Sequence, residues 1–269
     1  MLAEVIHLLV PGAVMVAVMM LILWAIHLAI KNAAIVDFGW AMGLALLALW
    51  YAWAGPGYHA RKWAIASMAG FWGLRLGLYL LFARVIGREE EGRYVQLRKE
   101  WKTQLPLRFL FFFEFQALLD VVLSLPFLLA CLNLCAPLGI LEKVGAGIWL
   151  IAIAGEALAD RQLDRFKRDP RNRGRTCQAG LWKYSRHPNY FFEWLIWIGY
   201  AVFAISSPWG WIGLLSPALI LYFLLGVTGI PATEAQALRS RGEEYRAYQQ
   251  TTSAFVPWFP KRAKVAGDS

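Results

Sequence analysis

The stretch Leu8–Ile30, LLVPGAVMVAVMMLILWAIHLAI, runs for 23 residues without a Lys, Arg, Asp or Glu. A helix needs about 20 apolar residues to cross the hydrocarbon of a bilayer. This stretch therefore reads as a transmembrane span, closed by Lys31 and Asn32. No basic segment precedes it, only Glu4, so it reads as a retained span and not a cleaved leader. Working outward, six further apolar runs follow: Ala33–Ala54, Trp63–Phe82, Phe109–Ala136, Val144–Leu158, Tyr190–Ile205 and Trp209–Gly229. The fourth is long enough to bend at Pro126, and the fifth and sixth are short with polar ends.

Composition agrees with this pattern. Of 269 residues, 59% are hydrophobic and 17% charged, and mean hydropathy is +0.46. A soluble domain carries roughly 25% charged residues. Disorder, a disulfide scaffold and a soluble globule are excluded. The three cysteines give no framework, and Cys131 and Cys135 have no His or further Cys beside them to suggest a metal. The net charge of +9 is best read through topology and not as a nucleic-acid footprint. With seven spans, 23 Lys and Arg fall on one face and only Arg61, Lys62 and Lys143 on the other, with Arg75 inside a span. The positive-inside rule then puts the N-terminus outside and the C-terminus in the cytoplasm. The expected fold is all-α, a polytopic membrane protein with seven transmembrane helices. Residues 1–269 form a single domain, and its cradle for a ligand lies mainly in 156–260.

Ionisable groups inside spans are costly and usually face a cavity or a partner. Here they are Asp37, Arg75, Glu114, Asp120, the pair Glu156 and Asp160, and Glu193. Asp37 and Arg75 could neutralise one another, and Asp120 could pair with Arg75 or hydrogen-bond a neighbouring helix. Arg75 and Tyr79 are four apart and share a helix face. The densest chemistry lies in Glu156–Glu193, with nine Lys and Arg between Arg161 and Arg186. Pro170, Gly174, Gly180 and Pro188 break helix there, so much of it reads as loop. Arginine matches phosphate bidentately, and glycine lets backbone amides approach an anion. The segment suits a nucleotide or pyrophosphate; a lipid-phosphate-binding loop is the duller alternative.

The run Gly180–Tyr190 (GLWKYSRHPNY), followed by Glu193-Trp194 and Trp197–Tyr200 (WIGY), resembles the C-terminal region of the steroid 5α-reductase family (3-oxo-5-alpha-steroid 4-dehydrogenase C-terminal-like). The similarity is nearest to that family's uncharacterised bacterial branch. It extends to Asn32–Trp40 (NAAIVDFGW), to Trp72–Tyr94 and to the ending from Gly229 to Pro260, and so covers nearly the whole chain.

The resemblance implies reduction of a carbon–carbon double bond conjugated to a ketone, with NADPH as cofactor and a small apolar, lipid-like substrate. It implies an integral protein of the bacterial inner membrane, with no nucleic acid and no obligate protein partner. Asn189 and Glu193 match a cofactor-holding Asn-x-x-x-Glu. Asp160 matches the acid of an Asn-x-x-x-Asp pair in which Glu156 replaces the Asn. Arg175 falls at a phosphate-binding arginine, and Gly92-Arg93 at a Gly-Arg that opens the second cytoplasmic loop. Arg93, Arg175 and Arg186 are the expected phosphate ligands, with Tyr184 and His187 in the same motif. His187 has a second reading, a hydrogen bond that holds the turn before Pro188. Tyr79 falls at the proton-donating tyrosine, assisted by Arg75 or a protonated Asp37. The Gln-Glu pair that the animal enzymes use on the substrate ketone has no counterpart; the acid in that span is Asp37. Arg186–Tyr190 with Glu234 and Glu244-Tyr245 also resembles integral-membrane methyltransferases of the isoprenylcysteine carboxyl type. Their cofactor, S-adenosylmethionine, carries no phosphate, so the arginine loop favours the reductase. A non-catalytic transporter would place its polar groups near the membrane midplane, whereas here they cluster toward one end.

Overall fold

A computed structural model describes residues 2–90, 92–227 and 229–261. Its described residues are helical, with no strand beyond an isolated bridge between Ser185 and Ser253. The helices are α1 (Leu2–Ile30), α2 (Ile35–Ala54), α3 (His59–Leu80, running on through Val85), α4 (Gly92–Trp101), α5 (Leu105–Leu123) and α6 (Leu125–Leu132). They continue as α7 (Ile140–Arg168), α8 (Pro188–Ala204), α9 (Leu215–Tyr222), α10 (Ile230–Arg241) and α11 (Glu243–Thr251).

Five stretches are long and apolar enough to cross a membrane: Leu2–Ile30, Ile35–Ala54, His59–Val85, Leu105–Leu132 and Gly210–Arg241. The chain is thus a multi-pass membrane protein by its helices. Two of the seven runs read as spans from the sequence, Val144–Leu158 and Tyr190–Ile205, are not among these five, each for a physical reason. The run Val144–Leu158 is the middle of α7, a 29-residue helix that continues through Glu156, Asp160, Arg161 and Arg165 to Arg168. Its charged end dilutes its hydropathy. The run Tyr190–Ile205 belongs to α8, whose 17 residues extend only about 25 Å against a core of about 30 Å. The fourth run breaks as expected, with α5 ending at Leu123 and Pro126 in the first turn of α6. Pro188 does not interrupt a helix but opens α8, where its missing N–H costs nothing.

The described chain forms two compact units. Unit 1 takes residues up to 144 together with 200–216. Its centre is the pairing of α2 with α3, and α1 and α5 pack on α2. Small residues make this approach possible. A Cβ on Gly73 would lie 2.6 Å from the Ala41 carbonyl oxygen and 2.9 Å from Ala45 Cβ. Trp72 is wholly buried and meets Trp40 edge-on at 5.7 Å. One end of the unit is locked by a buried ion pair. Arg61 Nε donates to Glu142 at 2.9 Å, with both side chains 2% exposed. Arg61 also donates to the carbonyls of Asn133 and Cys135, and Glu142 accepts from Ser206 Oγ at 2.7 Å.

Asp120 departs from expectation. It is fully buried on α5 with its carboxyl against Gly43, and neither oxygen has a hydrogen-bond partner among the described residues. It does not pair with a neighbouring helix.

Unit 2 takes residues 145–199 and those from 217 onward. In it α7 and α8 lie side by side. Gly155 faces the Phe192 ring with no room for a Cβ, and a Cβ on Gly199 would sit 3.0 Å from the Gly145 carbonyl oxygen.

Candidate functional site

The close α7–α8 seam sets the polar residues of unit 2 in register. Glu156 and Asp160 stand on one face of α7, and Asn189 and Glu193 one turn apart on α8. Asn189 Nδ2 donates to Asp160 Oδ1 at 3.3 Å. Glu193 accepts from Trp197 Nε1 at 3.0 Å, and Glu156 is buried at 4% exposure. Of these four residues, Asp160 and Asn189 are joined directly across the seam.

The segment after α7 is less of a loop than its prolines and glycines suggest, because α7 carries the basic residues up to Arg168 in helix. Asn172 Nδ2 donates to the Phe166 carbonyl and closes that helix. Gly174 and Gly180 have φ of +79° and +61°, a region that favours glycine. At Gly180 the chain presses on α7: a Cβ would meet the Gln162 amide at 2.5 Å, and the Leu181 N–H donates to Gln162 Oε1. Trp182 Nε1 donates to the Ala159 carbonyl. Thr176 N–H donates to Glu244 at the start of α11.

These ties leave a cavity of about 290 Å³ inside unit 2. Lys167, Arg173, Arg175 and Arg241 line it, with the neutral polar groups of Asn172 and Ser240. Leu163 and Phe166 make an apolar wall, and among the described residues no carboxylate lines it. Cys177 also borders it, and burial pushes its thiol above the usual range. Of the expected phosphate ligands, Arg175 is here. Lys167, Arg173 and Arg241 were not singled out from sequence. Arg241 comes from α10, and no local spacing connects it to the arginine loop.

Arg186 is placed differently from expectation. Its side chain is 9% exposed, and its Nε donates to Glu234 at 2.6 Å. Its Nη1 donates to the carbonyls of Gln249 and Thr252. The guanidinium is thus directed inward to protein acceptors, because α10 and α11 present a carboxylate and two carbonyls to it. Its partners are all protein acceptors, where the sequence reading expected a phosphate. His187 is 4% exposed, lies 3.3 Å from Glu234, and stacks on Tyr190 at 5.3 Å. Its backbone N–H donates to Ser185 Oγ, an arrangement that agrees with the second of its two readings. Tyr184 is 36% exposed; its carbonyl accepts from the Trp258 N–H and its ring meets Phe259 edge-on. Ser185 Oγ donates to the Phe255 carbonyl and the Arg186 N–H to the Ser253 carbonyl. Tyr248 donates to the Trp182 carbonyl from beneath. The segment 251–258 therefore straps the RHPNY turn in place.

The other candidates lie in unit 1. Asp37, in the first turn of α2, accepts from Arg93 at 2.6 Å, from Arg84 at 3.1 Å and from the Tyr94 hydroxyl at 2.8 Å. Both carboxylate oxygens of Asp37 are thus taken up by protein donors. Arg93 also donates to the Tyr94 oxygen, and its cation lies 4.7 Å from that ring, so its recorded bonds serve Asp37 and Tyr94. Nearby, Glu90 accepts from the Ala33 N–H and twice from Arg98, and Asn32 donates to the Arg84 and Arg88 carbonyls. These bonds clamp the segment 84–98 onto the start of α2. On α3, Arg75 is half-buried and Tyr79 is 42% exposed.

Comparison with known proteins places the chain in context. The family model described as a protein of unknown function, DUF1295, matches residues 23–252. That family groups with the steroid 5α-reductase-like proteins. An uncharacterized protein of Schizosaccharomyces pombe (strain 972 / ATCC 24843), C594.04c, is 28% identical over 267 residues, covering 88% of this chain and 76% of the relative. No solved structure matches.

Proposed function

The chain belongs to the DUF1295 family, and on that footing we propose that it is a membrane reductase using NADPH to reduce a double bond conjugated to a ketone in a lipid-like substrate. The observation that carries the reading is the cavity with Lys167, Arg173, Arg175 and Arg241 on its walls and no carboxylate among its described lining residues. Four cations without an acid suit a ligand with several phosphate charges. S-adenosylmethionine, with one carboxylate, no phosphate and a net positive charge, suits four cations far less.

In this reading the four cations hold the phosphates, while Asn189, Asp160 and Glu193 hold the ribose and amide end. NADPH, when bound, supplies the hydride that goes to the β-carbon of the enone. Negative charge then builds on the carbonyl oxygen, and a donor at that oxygen is usually the largest catalytic contribution. Tyr79 is assigned as that donor, with Arg75 four residues earlier on the same helix adding positive charge. Asp37 fixes Arg84, Arg93 and Tyr94 and does not donate.

Topology belongs to the same proposal. If only the five apolar stretches cross, Lys and Arg divide 14 to 12 between the faces; if α7 and α8 cross as well, they divide 23 to 3. The second division agrees with the positive-inside rule and supports seven crossings, the N-terminus outside, in a bacterial inner membrane.

The test is thermal stabilisation of the detergent-solubilised chain. At one hundred times its dissociation constant, NADPH would add about 2.7 kcal/mol and raise the Tm by about 5–10 °C. Arg175→Ala and Asn189→Ala should lose that shift. Tyr79→Phe should keep it while losing turnover of an apolar enone. A shift with S-adenosylmethionine and none with NADPH would assign the methyltransferase reading instead, and a response to neither would defeat both.

A further inference from the structure

Unit 1 carries a groove that the proposed reaction does not use. On α5, Arg108, Phe111, Phe112 and Phe115 recur at i, i+3, i+4 and i+7, which is one stripe of a helix. Trp101, the last residue of α4, faces this stripe, with its ring 6.3 Å from Phe112 and 4.9 Å from Phe109. The groove between them measures about 340 Å³ and is lined by Trp101, Arg108, Phe111, Phe112 and Phe115. Phe111 and Phe115 remain 67% and 48% exposed, so nothing in the unit fills it.

The two arginines near this groove differ. Arg98 has its cation 4.6 Å from the Phe109 ring and is bonded twice to Glu90. Arg108 is exposed and has no side-chain hydrogen bond or ion pair among the described residues. Its depth is also informative. It is the fourth residue of the Leu105–Leu132 membrane stretch, about 4–5 Å along the axis from the helix start. Phe111 to Phe115 follow at about 9–15 Å. A cation at headgroup depth with an aromatic channel below it repeats the order of a phospholipid, phosphate first and acyl chain next. The frame is fixed, since Trp24 Nε1 on α1 donates to the Pro106 carbonyl at 2.8 Å.

We propose that this groove binds one anionic phospholipid, its phosphate on Arg108 and an acyl chain along Trp101, Phe111 and Phe115. Charge complementarity selects this occupant. An uncompensated guanidinium at the membrane surface attracts a net negative headgroup, whereas a zwitterionic one offers its own ammonium in competition. The site is independent of the reductase reading.

The experiment is native mass spectrometry of the full-length chain in detergent, with dioleoyl phosphatidylglycerol or dioleoyl phosphatidylcholine added at equal concentration. Wild type should retain one phosphatidylglycerol in preference to phosphatidylcholine. One surface cation contributes about 1 kcal/mol toward an anionic lipid, so Arg108→Gln should lower phosphatidylglycerol occupancy about fivefold. Arg108→Lys should retain most of it. Phe111→Ala with Phe115→Ala should lower occupancy while leaving the lipid-free Tm unchanged, which separates lost binding from lost folding. Equal retention of the two lipids, or equal retention by wild type and Arg108→Gln, would show only unspecific lipid around the helices and overturn the proposal. So would an aromatic double variant that holds the lipid as well as wild type does.

Discussion

Replacing Arg186 with Met separates two accounts of the RHPNY motif. If Arg186 grips a cofactor phosphate, its loss weakens binding and leaves the fold intact. The structure gives the opposite expectation. Arg186 donates to Glu234 at 2.6 Å and to two carbonyls of the α11 region, with 9% of its side chain exposed. Removing one partner of a buried, hydrogen-bonded pair costs about 3–5 kcal/mol, because the other charge stays behind uncompensated. Glu234 would keep Gln249 Nε2 at 2.8 Å and His187 at 3.3 Å, which places the cost toward the lower end. For a chain of this size each kcal/mol lowers Tm by about 2–4 °C, so Arg186→Met should melt about 6–12 °C earlier. The assay is thermal unfolding in detergent without cofactor, followed by circular dichroism. Adding Glu234→Gln to Arg186→Met removes the stranded charge and should recover about 1–2 kcal/mol. A single variant that melts with wild type but no longer responds to NADPH would refute the clasp and return Arg186 to the phosphate.

Two further outcomes follow from the same geometry. Arg61→Met strands Glu142 at 2% exposure and should cost about 3–5 kcal/mol; a change in Tm of less than 2–3 °C would contradict the lock described for that end of unit 1. Burial raises the Cys177 thiol, so the folded state holds that proton to higher pH than the unfolded chain does. The associated stability is complete below the ordinary thiol range of about 8.5 and declines as pH rises through the raised value. Alkylation of Cys177 by iodoacetamide, read by peptide mass spectrometry, should therefore still be accelerating above pH 9; a rate that levels off below pH 9 would contradict the burial argument.

Local patterns in the sequence identified what depends on local physics. Long apolar runs marked the helices that meet the membrane criterion, since hydropathy sums over neighbours. Spacing of four paired Glu156 with Asp160 and Asn189 with Glu193, and the α7–α8 seam then joined Asp160 to Asn189. What stayed hidden depends on distant partners. The acid that captures Arg186 lies 48 residues away at Glu234, and Asp37 finds its arginines 47 and 56 residues on. No periodicity relates such positions. Arg241 joins the cationic cavity for a similar reason, through the fold of α10 and not through the loop that drew attention. Among the described residues α7 and α8 fall short of the apolar length that the other spans reach, because a run of apolar letters does not show where a helix ends or how much charge it goes on to carry.

The strap over the RHPNY turn has a consequence for how the protein is made. Ser185 takes its hydrogen-bond acceptor from Phe255, 70 residues later in the chain. At about 5–20 residues per second, translation separates the two by about 4–14 s. Throughout that interval the turn has emerged without its fastener, and until Glu234 is made, 48 residues after Arg186, the guanidinium has no carboxylate to meet. Closure of the cationic pocket, which needs Ser240 and Arg241, therefore trails synthesis of the preceding helices, and a nascent chain stalled before Phe255 would carry the turn without its strap.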